Sequence, residues 1–244
     1  MAARGFGSAG DAYERGRPSY PAEAVSFLAG EMALGPEATV AEVAAGTGKF
    51  TRLLVPGGAR IVAVEPVAAM HAVLADKVPS AGVVAGAAEA LPLAEASVDT
   101  VVVAQAFHWF RVPEALAEIA RVLRPGGGLA MVWNDRDDSV AWVGALSALI
   151  RWDDRPVPSY TDVDWSAAVA DTGEFGPLEH RQFHLDQHLD TETLVDRVLS
   201  TSYIAAGAPA EQAALAAKVR RLVADLEEPF LLPYRTDVFW CHRR

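Results

Sequence analysis

The sequence predicts an α/β protein with a doubly wound, Rossmann-like sheet, and three observations carry this prediction. Short apolar runs alternate with helical segments between residues 39 and 135, which is the pattern of successive β-α-β units. Residues 101–104 are continuously apolar, as in a strand buried on both faces of a parallel sheet. Small residues at 44–48 form a turn between the first strand and its helix.

The elements can be placed in order along the chain. Strands are expected at about 39–43, 60–64, 83–84, 97–105, 129–133, 179–187 and 236–241. Helices are expected at about 22–32, 49–55, 67–77, 113–123, 141–152, 191–203 and 210–228. Proline and glycine mark several of their ends, such as Pro125-Gly126-Gly127 after the fourth helix. We therefore predict a mostly parallel seven-stranded sheet whose last strand is antiparallel.

We expect a single domain built from four consecutive parts. They are a helical amino-terminal lid (1–38), a Rossmann-like core (39–135), cap helices with one sheet strand (136–228), and the final strand (229–244). The lid and the inserted cap helices are additions to the core.

Composition and charge limit the partners. The chain is 51% hydrophobic and 22% charged, as expected of a packed globular core. Its formal net charge of −11 and the lack of a basic run argue against nucleic acid as a partner. No apolar stretch approaches the roughly 18 residues that span a bilayer, and the first residues lack a secretory apolar core. We expect no membrane partner, a cytoplasmic location, and a monomer or homodimer.

No metal site is expected. The single Cys241 excludes a cysteine-rich zinc site. His180, His184 and His188 are spaced by four, which would align them on a helix as possible ligands. Their segment alternates like a strand, however, and no carboxylate motif completes the set.

Two acidic residues border the glycine turn. Glu42 lies in the first strand, and Glu65 ends the second, where it could accept two hydrogen bonds from a ribose diol. A dinucleotide fingerprint would carry a third glycine, but Thr51 occupies that position. A pyrophosphate would therefore meet a poorer cradle, although an NAD-linked oxidoreductase stays open as an alternative.

Five motifs in order carry a family resemblance: Glu42–Gly48, Val64–Pro66, Ala88–Pro92, Asp99–Gln105 and Leu123–Gly127. With them, the chain resembles the class I S-adenosylmethionine-dependent methyltransferases, in the small-molecule group often called methyltransferase 11 or UbiE-like. Three further segments are similar to a narrower, trans-aconitate-methyltransferase-like subgroup, namely 13–21, 105–110 and 233–241. That narrower similarity says little about the substrate.

One departure is Ala44, where the family usually has glycine. Alanine fits this turn if its backbone angles stay negative.

The resemblance implies S-adenosyl-L-methionine as the cofactor. Glu42 would hold the ammonium group of the methionine moiety, Glu65 the ribose hydroxyls, and Ala88 with Glu89 the adenine. Each acid also has a purely structural alternative. Glu42 would only cap the turn, Glu65 would face solvent at the strand tip, and Glu89 would begin a helix. The expected cofactor-binding residues are Tyr13, Arg17, Glu42, Ala44, Ala45, Gly46, Gly48, Glu65, Pro66, Met70, Ala88, Glu89 and Gln105.

The acceptor is expected to be a small molecule that is methylated on oxygen, nitrogen or carbon. The expected substrate-binding residues are Tyr20, His108, Trp109 and Asn134. His108 is the candidate catalytic base, with packing or orientation as its alternative role. Tyr13, Arg17 and Tyr20 would either cover the cofactor as a lid or simply dock the first helix. A binding module that has lost methyl transfer stays open as a further alternative.

Overall fold

The computed structural model describes residues 16–152 and 157–244. Its strands are β1 (Thr39–Val43), β2 (Arg60–Val64), β3 (Gly82–Val84), β4 (Val98–Ala104), β5 (Leu123–Arg136), β6 (Glu179–Leu189) and β7 (Phe230–His242). Its α-helices are α1 (Ala22–Glu31), α2 (Thr51–Leu54), α3 (Ala68–Lys77), α4 (Val112–Val122), α5 (Ala141–Leu149), α6 (Trp165–Ala170), α7 (Thr191–Leu199), α8 (Ser202–Ala205) and α9 (Pro209–Leu222).

The strands form one seven-stranded sheet in the order β3-β2-β1-β4-β5-β7-β6. The sheet is mostly parallel with one antiparallel strand, as predicted. Reciprocal backbone bonds show the antiparallel pairing of β7 with β5: Gly126 N–H donates to Arg243 O, and Arg243 N–H donates to Gly127 O. At the other end of the same pair, Asp137 N–H donates to Pro233 O.

The parallel register aligns the ends of the strands that matter for the site. Val43 of β1 pairs with Val64 of β2, and Ala104 of β4 pairs with Val132 of β5. The turn after β1, the acid after β2 and the loop after β4 therefore lie at one edge of the sheet. Open α/β sheets bind ligands at this carboxyl edge.

The structure differs from the prediction by one unpredicted helix, α6, and at several element ends. β5 begins at Leu123 rather than near 129, because the glycines of 126–128 continue the ladder. A Cβ at Gly127 would lie 2.8 Å from Asp99 O, so glycine permits this close pairing. β7 begins at Phe230 rather than near 236. Helices α5, α7 and α9 end earlier than predicted, at 149, 199 and 222, and α8 is separate from α7.

Contacts within the chain define two compact units. The larger unit consists of Ser19–Trp133, Pro158–Phe183 and Thr236–Arg244. Its interior contains apolar residues of β1 and β4 and the buried face of α4, where Leu116, Ile119 and Ala120 recur at helical spacing. Another cluster places Leu28 of α1 and Phe50 against the sheet.

The described part of the smaller unit consists of residues 16–18, 134–152, 157 and 184–235. Its apolar interior joins Val143 and Leu146 of α5, Leu194 and Val198 of α7, and Val219 of α9. Among the described residues, no helix combines the length and apolar character that crossing a membrane requires.

Candidate functional site

The turn after β1 uses left-handed backbone conformations. Gly46 and Gly48 have φ values of 60° and 83°. Ala44 also has a positive φ, 57°, so the condition under which alanine would fit this turn without strain, negative backbone angles, is not met. A left-handed alanine costs on the order of 1 kcal/mol, because its Cβ crowds the following carbonyl oxygen.

The two glycines of the turn have different reasons to be glycine. A Cβ at Gly48 would lie 2.5 Å from Leu74 Cδ1 and 2.9 Å from Val78 Cγ2, so this glycine lets α3 approach closely. A Cβ at Gly46 would meet no heavy atom within 4 Å. Open space therefore lies beside the backbone at Gly46, where a ligand can approach it.

Glu65 anchors the turn to the end of β2. Its carboxylate accepts the Gly46 N–H on Oε2 and the Val67 N–H on Oε1, both at 2.8 Å. The residue is only 3% exposed, which rules out a solvated acid. Burial raises its pKa, and the two backbone donors and His71 partly offset that rise. A carboxylate has about four lone-pair positions, so each oxygen can still accept a hydroxyl.

Glu42 is buried in β1 and not satisfied by its neighbours. It is 1% exposed, and its Oε2 has no hydrogen-bond partner. Burial raises the pKa of its carboxyl to about 8; the adjacent Thr51 hydroxyl lowers it, Glu65 raises it, and Arg52 lowers it. The Thr51 Oγ1 is itself buried without a satisfactory hydrogen bond. A buried polar atom without a partner is costly, and a ligand with N–H or O–H donors would remove that cost.

The loop after β3 supplies the residues expected around adenine. Ala88 is buried, and Glu89 is half-buried with its Oε1 accepting the Arg111 N–H at 2.8 Å. Glu89 therefore binds the residue that directly precedes α4. Pro66 is exposed, and Met70 is half-buried in the first turn of α3.

Gln105 directly follows β4 and has an unusual backbone conformation. Its φ is 59°, although its N–H still donates to Val132 O at 2.8 Å. Non-glycine residues in the left-handed region are enriched at ligand sites because the surrounding structure must hold them there. Gln105 therefore lies at the carboxyl edge of the sheet, and its contact with the cofactor stays a prediction.

His108 is held by an aromatic residue that sequence reasoning missed. Trp133 Nε1–H donates to His108 Nδ1 at 3.1 Å. An indole N–H is only a donor, so Nδ1 must be the unprotonated nitrogen and Nε2 carries the proton of the neutral ring. The lone pair that a general base needs is therefore already engaged. This geometry favours His108 as a hydrogen-bond donor, through Nε2, rather than as a base.

Trp133 belongs to a stack of aromatic rings in the larger unit. Its ring stacks on Tyr160 and Trp165 at centroid distances of 5.0 and 5.3 Å. Tyr160 O–H donates to Asp237 Oδ2 at 2.9 Å, and His180 Nε2 lies 2.7 Å from Asp237 Oδ1. The available sequence signal was a tryptophan at the end of a buried strand, since a buried indole N–H needs a partner.

The remaining expected substrate residues have mixed surroundings. Trp109 is 42% exposed, beside the His108 ring at a centroid distance of 5.3 Å. Tyr20 packs edge-on against Phe50 at 4.8 Å, in the core under α1, which favours the docking role over a lid. Asn134 is half-buried in β5, directly after Trp133.

Two amino-terminal residues were expected to contact the cofactor. Arg17 is half-buried in the smaller unit, directly after Gly16, whose carbonyl accepts the Gln187 Nε2–H at 3.2 Å. Tyr13 lies outside the described residues.

A metal centre is not indicated within residues 16–152 and 157–244. No group of three or more His, Cys, Asp or Glu side chains there is placed to hold an ion. The three histidines with a spacing of four lie in a strand, β6, rather than in a helix.

Comparisons with known proteins identify a family for this chain. The family model described as a methyltransferase domain matches residues 41–131. The uncharacterized methyltransferase Rv3342 of Mycobacterium tuberculosis is 40% identical over 219 residues, covering 90% of this chain and 85% of that protein. The malonyl-[acyl-carrier protein] O-methyltransferase of Methylococcus capsulatus is 45% identical over 112 residues, covering 43% and 41%. The YcgJ protein from Bacillus subtilis shares the fold, with a TM-score of 0.61, 19% identity and coverages of 91% and 98%.

A small-residue turn after the first strand and an acid after the second define a nucleotide-binding α/β protein. The chain belongs to the class I S-adenosylmethionine-dependent methyltransferases. This assignment removes the NAD-linked oxidoreductase that the sequence pattern left open.

Proposed function

We propose that the protein binds S-adenosyl-L-methionine at the turn after β1 and methylates a small-molecule acceptor on oxygen, nitrogen or carbon. The observation that carries the proposal is the buried, unpartnered Oε2 of Glu42, next to a turn whose backbone is open to a ligand at Gly46. The atoms that lack partners here match the groups that this cofactor presents.

Each part of the cofactor has a group to receive it. The ionised Glu42 carboxylate would receive the ammonium group of the methionine moiety. Glu65 has lone pairs to accept both ribose hydroxyls, and its bonds to Gly46 and Val67 fix its orientation in advance. Ala88 and Glu89 would receive the adenine amine. When bound, S-adenosylmethionine supplies a methyl group on a sulfonium centre.

The protein's own contribution to transfer is mainly positioning. Displacement at a sulfonium methyl needs the acceptor held in line, and orientation can supply much of the rate enhancement. His108 would orient the acceptor by donating from Nε2 while Trp133 holds its other nitrogen. Gln105 would face the methionine moiety. Residues 136–228 would select the acceptor.

A second acceptor class has one specific observation in its favour. The similarity to the malonyl-[acyl-carrier protein] O-methyltransferase of M. capsulatus spans 43% of this chain. An acceptor attached to a carrier protein is therefore the alternative to a free small molecule. Parallel methyl-transfer assays with free acids and with the same acyl groups on a carrier protein would distinguish the two.

Calorimetric titration with S-adenosylhomocysteine tests the cofactor site directly. We expect saturable 1:1 binding with a dissociation constant in the micromolar range, and no comparable binding of NADH. The absence of a binding signal at high micromolar ligand would contradict the proposal. Transfer of labelled methyl groups into a metabolite extract then separates an enzyme from a binding module without transfer activity.

A further inference from the structure

Two arginines are buried in the smaller unit without hydrogen-bond partners for most of their nitrogen atoms. Arg136, at the end of β5, is 3% exposed, and its Nε, Nη1 and Nη2 are all unpartnered. Arg197, in the last turn of α7, is 5% exposed, and its Nε and Nη1 are unpartnered. Within residues 16–152 and 157–244, neither guanidinium forms an ion pair with a carboxylate.

The positive charge of Arg197 acts unfavourably on the charged form of Arg136. Burial lowers the pKa of Arg136, and the charge of Arg197 lowers it further, whereas Tyr234, Asp135 and Asp138 act in the opposite direction. Arginine nevertheless keeps its proton in proteins. Two buried cations that interact unfavourably and have unsatisfied donors are expensive unless an anion neutralises them.

The Arg136 guanidinium also has an aromatic neighbour. The Arg136 guanidinium lies over the Trp152 ring, 4.3 Å from its centroid. An aromatic ring supplies no conventional hydrogen-bond acceptor, so the Arg136 Nε, Nη1 and Nη2 atoms stay unpartnered despite this contact. The in-plane edge of a guanidinium matches the two oxygens of a carboxylate.

The backbone around Arg197 is also fixed. A Cβ at Gly16 would lie 2.7 Å from both the N and Cα atoms of Arg197, so glycine lets the amino-terminal segment touch α7. Gln187 links Gly16 to Tyr234 of β7. Its Nε2–H donates to Gly16 O, and its Oε1 accepts the Tyr234 O–H at 3.2 Å.

We propose that Arg136 and Arg197 form a binding site for a carboxylate, and that the methyl acceptor is a carboxylic acid. The second clause rests on the proposed function. A carboxylate fits better than a phosphate because Arg197 stands at the carbonyl end of α7, where no helix N–H groups are available to receive phosphate oxygens. Arg136 follows Asn134 at the carboxyl end of β5, the end at which such sheets bind ligands.

Thermal unfolding with malonate as the probe tests the site, with the neutral malonamide and matched chloride as controls. We expect malonate at about 20 mM to raise the melting temperature of the wild type by at least about 2 °C, and malonamide to have no effect. Arg136→Met and Arg197→Met should abolish this response. Arg220→Met is the matched control, because Arg220 is a surface residue paired with Glu192, and it should respond like the wild type.

The same variants provide an independent readout without any anion. Removing one of two like charges that lack partners should raise the melting temperature, so both methionine variants should be at least as stable as the wild type. Marked destabilisation would show that the guanidinium groups already have an acidic partner, and would overturn the proposal. An equal response to sulfate or phosphate would overturn the assignment to a carboxylate.

Titration with S-adenosylhomocysteine separates this proposal from the proposed function. A malonate response that disappears in both arginine variants, together with failed cofactor binding, would leave the anion site standing and reject the methyltransferase activity. Normal cofactor binding without any malonate response would leave the proposed function standing and reject the anion site. If both hold, a panel of carboxylic acids and their amides should show methyl transfer only with the acids, and at least about tenfold less in Arg136→Met.

Discussion

Each of the two units buries a pair of like charges, and the pairs differ in how their repulsion can be relieved. The larger unit holds Glu42 and Glu65, and the smaller unit holds Arg136 and Arg197. A carboxylate can take up a proton: burial, with a smaller contribution from Glu65, raises the pKa of Glu42 to about 8. A guanidinium keeps its charge, so its relief must come from a bound anion. The acid pair should therefore respond to pH, and the arginine pair to ligands.

The largest effect is expected at Glu65, which orders the turn and would also receive the ribose. Glu65→Ala should weaken S-adenosylhomocysteine binding by roughly 10²-fold or more, because it removes two hydrogen bonds to a charged group. Glu65→Gln should have an intermediate effect, since its amide keeps one acceptor. Calorimetry against the exposed-acid control Glu23→Gln measures the difference. An affinity within about threefold of the wild type in Glu65→Ala would remove Glu65 from the site.

Glu42 should make the stability of the protein depend on pH, which the two buried arginines should not. Between its ordinary pKa of 4.5 and its folded-state pKa of about 8, the native protein holds a proton that the unfolded chain has released. Stability should therefore fall as the pH rises through this interval, by at most about 5 kcal/mol. Glu42→Gln should flatten this dependence and be more stable than the wild type at pH 8.5. Melting temperatures at pH 5.5 and 8.5 provide the measurement, and a wild type that is no less stable at pH 8.5 would contradict it.

Ligand binding should reverse the protonation of Glu42. An ammonium group beside the carboxylate favours its ionised form, so the cofactor product should release close to one proton on binding at pH 7. Titration in buffers of different ionisation enthalpy detects such a release. Glu42→Gln should bind without it. Equal proton release by the variant would place the titrating group elsewhere.

The acid pair could be predicted from sequence, whereas the arginine pair could not. Glu42 and Glu65 border a glycine turn in a local pattern, and their meeting follows from the parallel register of β1 and β2. Arg136 and Arg197 are 61 positions apart in the sequence, and their approach depends on tertiary packing. A signal existed at Arg197, which follows Leu194 by three residues and so falls on the apolar face of α7. The Trp133–His108 hydrogen bond likewise depends on side-chain geometry that no spacing encodes.

His108 tests whether a polar group without net charge also takes part. If His108 only donates a hydrogen bond while Trp133 holds its ring, glutamine should be able to replace it. The glutamine amide can accept a hydrogen bond from the indole N–H and donate one to the methyl acceptor. We expect His108→Gln to keep at least about a third of the transfer rate and His108→Ala to lose roughly tenfold or more. Steady-state methyl-transfer rates provide the measurement. Equal losses in both variants, together with a transfer rate that falls as the pH is lowered, would restore the role of general base.

The smallest effect is expected at Ala44, in the turn beside the acid pair. Its φ of 57° strains an alanine, and glycine adopts the same conformation without that cost. Ala44→Gly should therefore leave stability unchanged or raise it by up to about 1 kcal/mol, because relieved strain outweighs the added flexibility of the unfolded chain. Ala45→Gly is the matched control: its φ is not positive and its methyl group is buried, so it should destabilise by about 1 kcal/mol. If denaturant unfolding gave both variants the same loss, the left-handed conformation of Ala44 would carry no strain, and the turn beside the two glutamates would be relaxed.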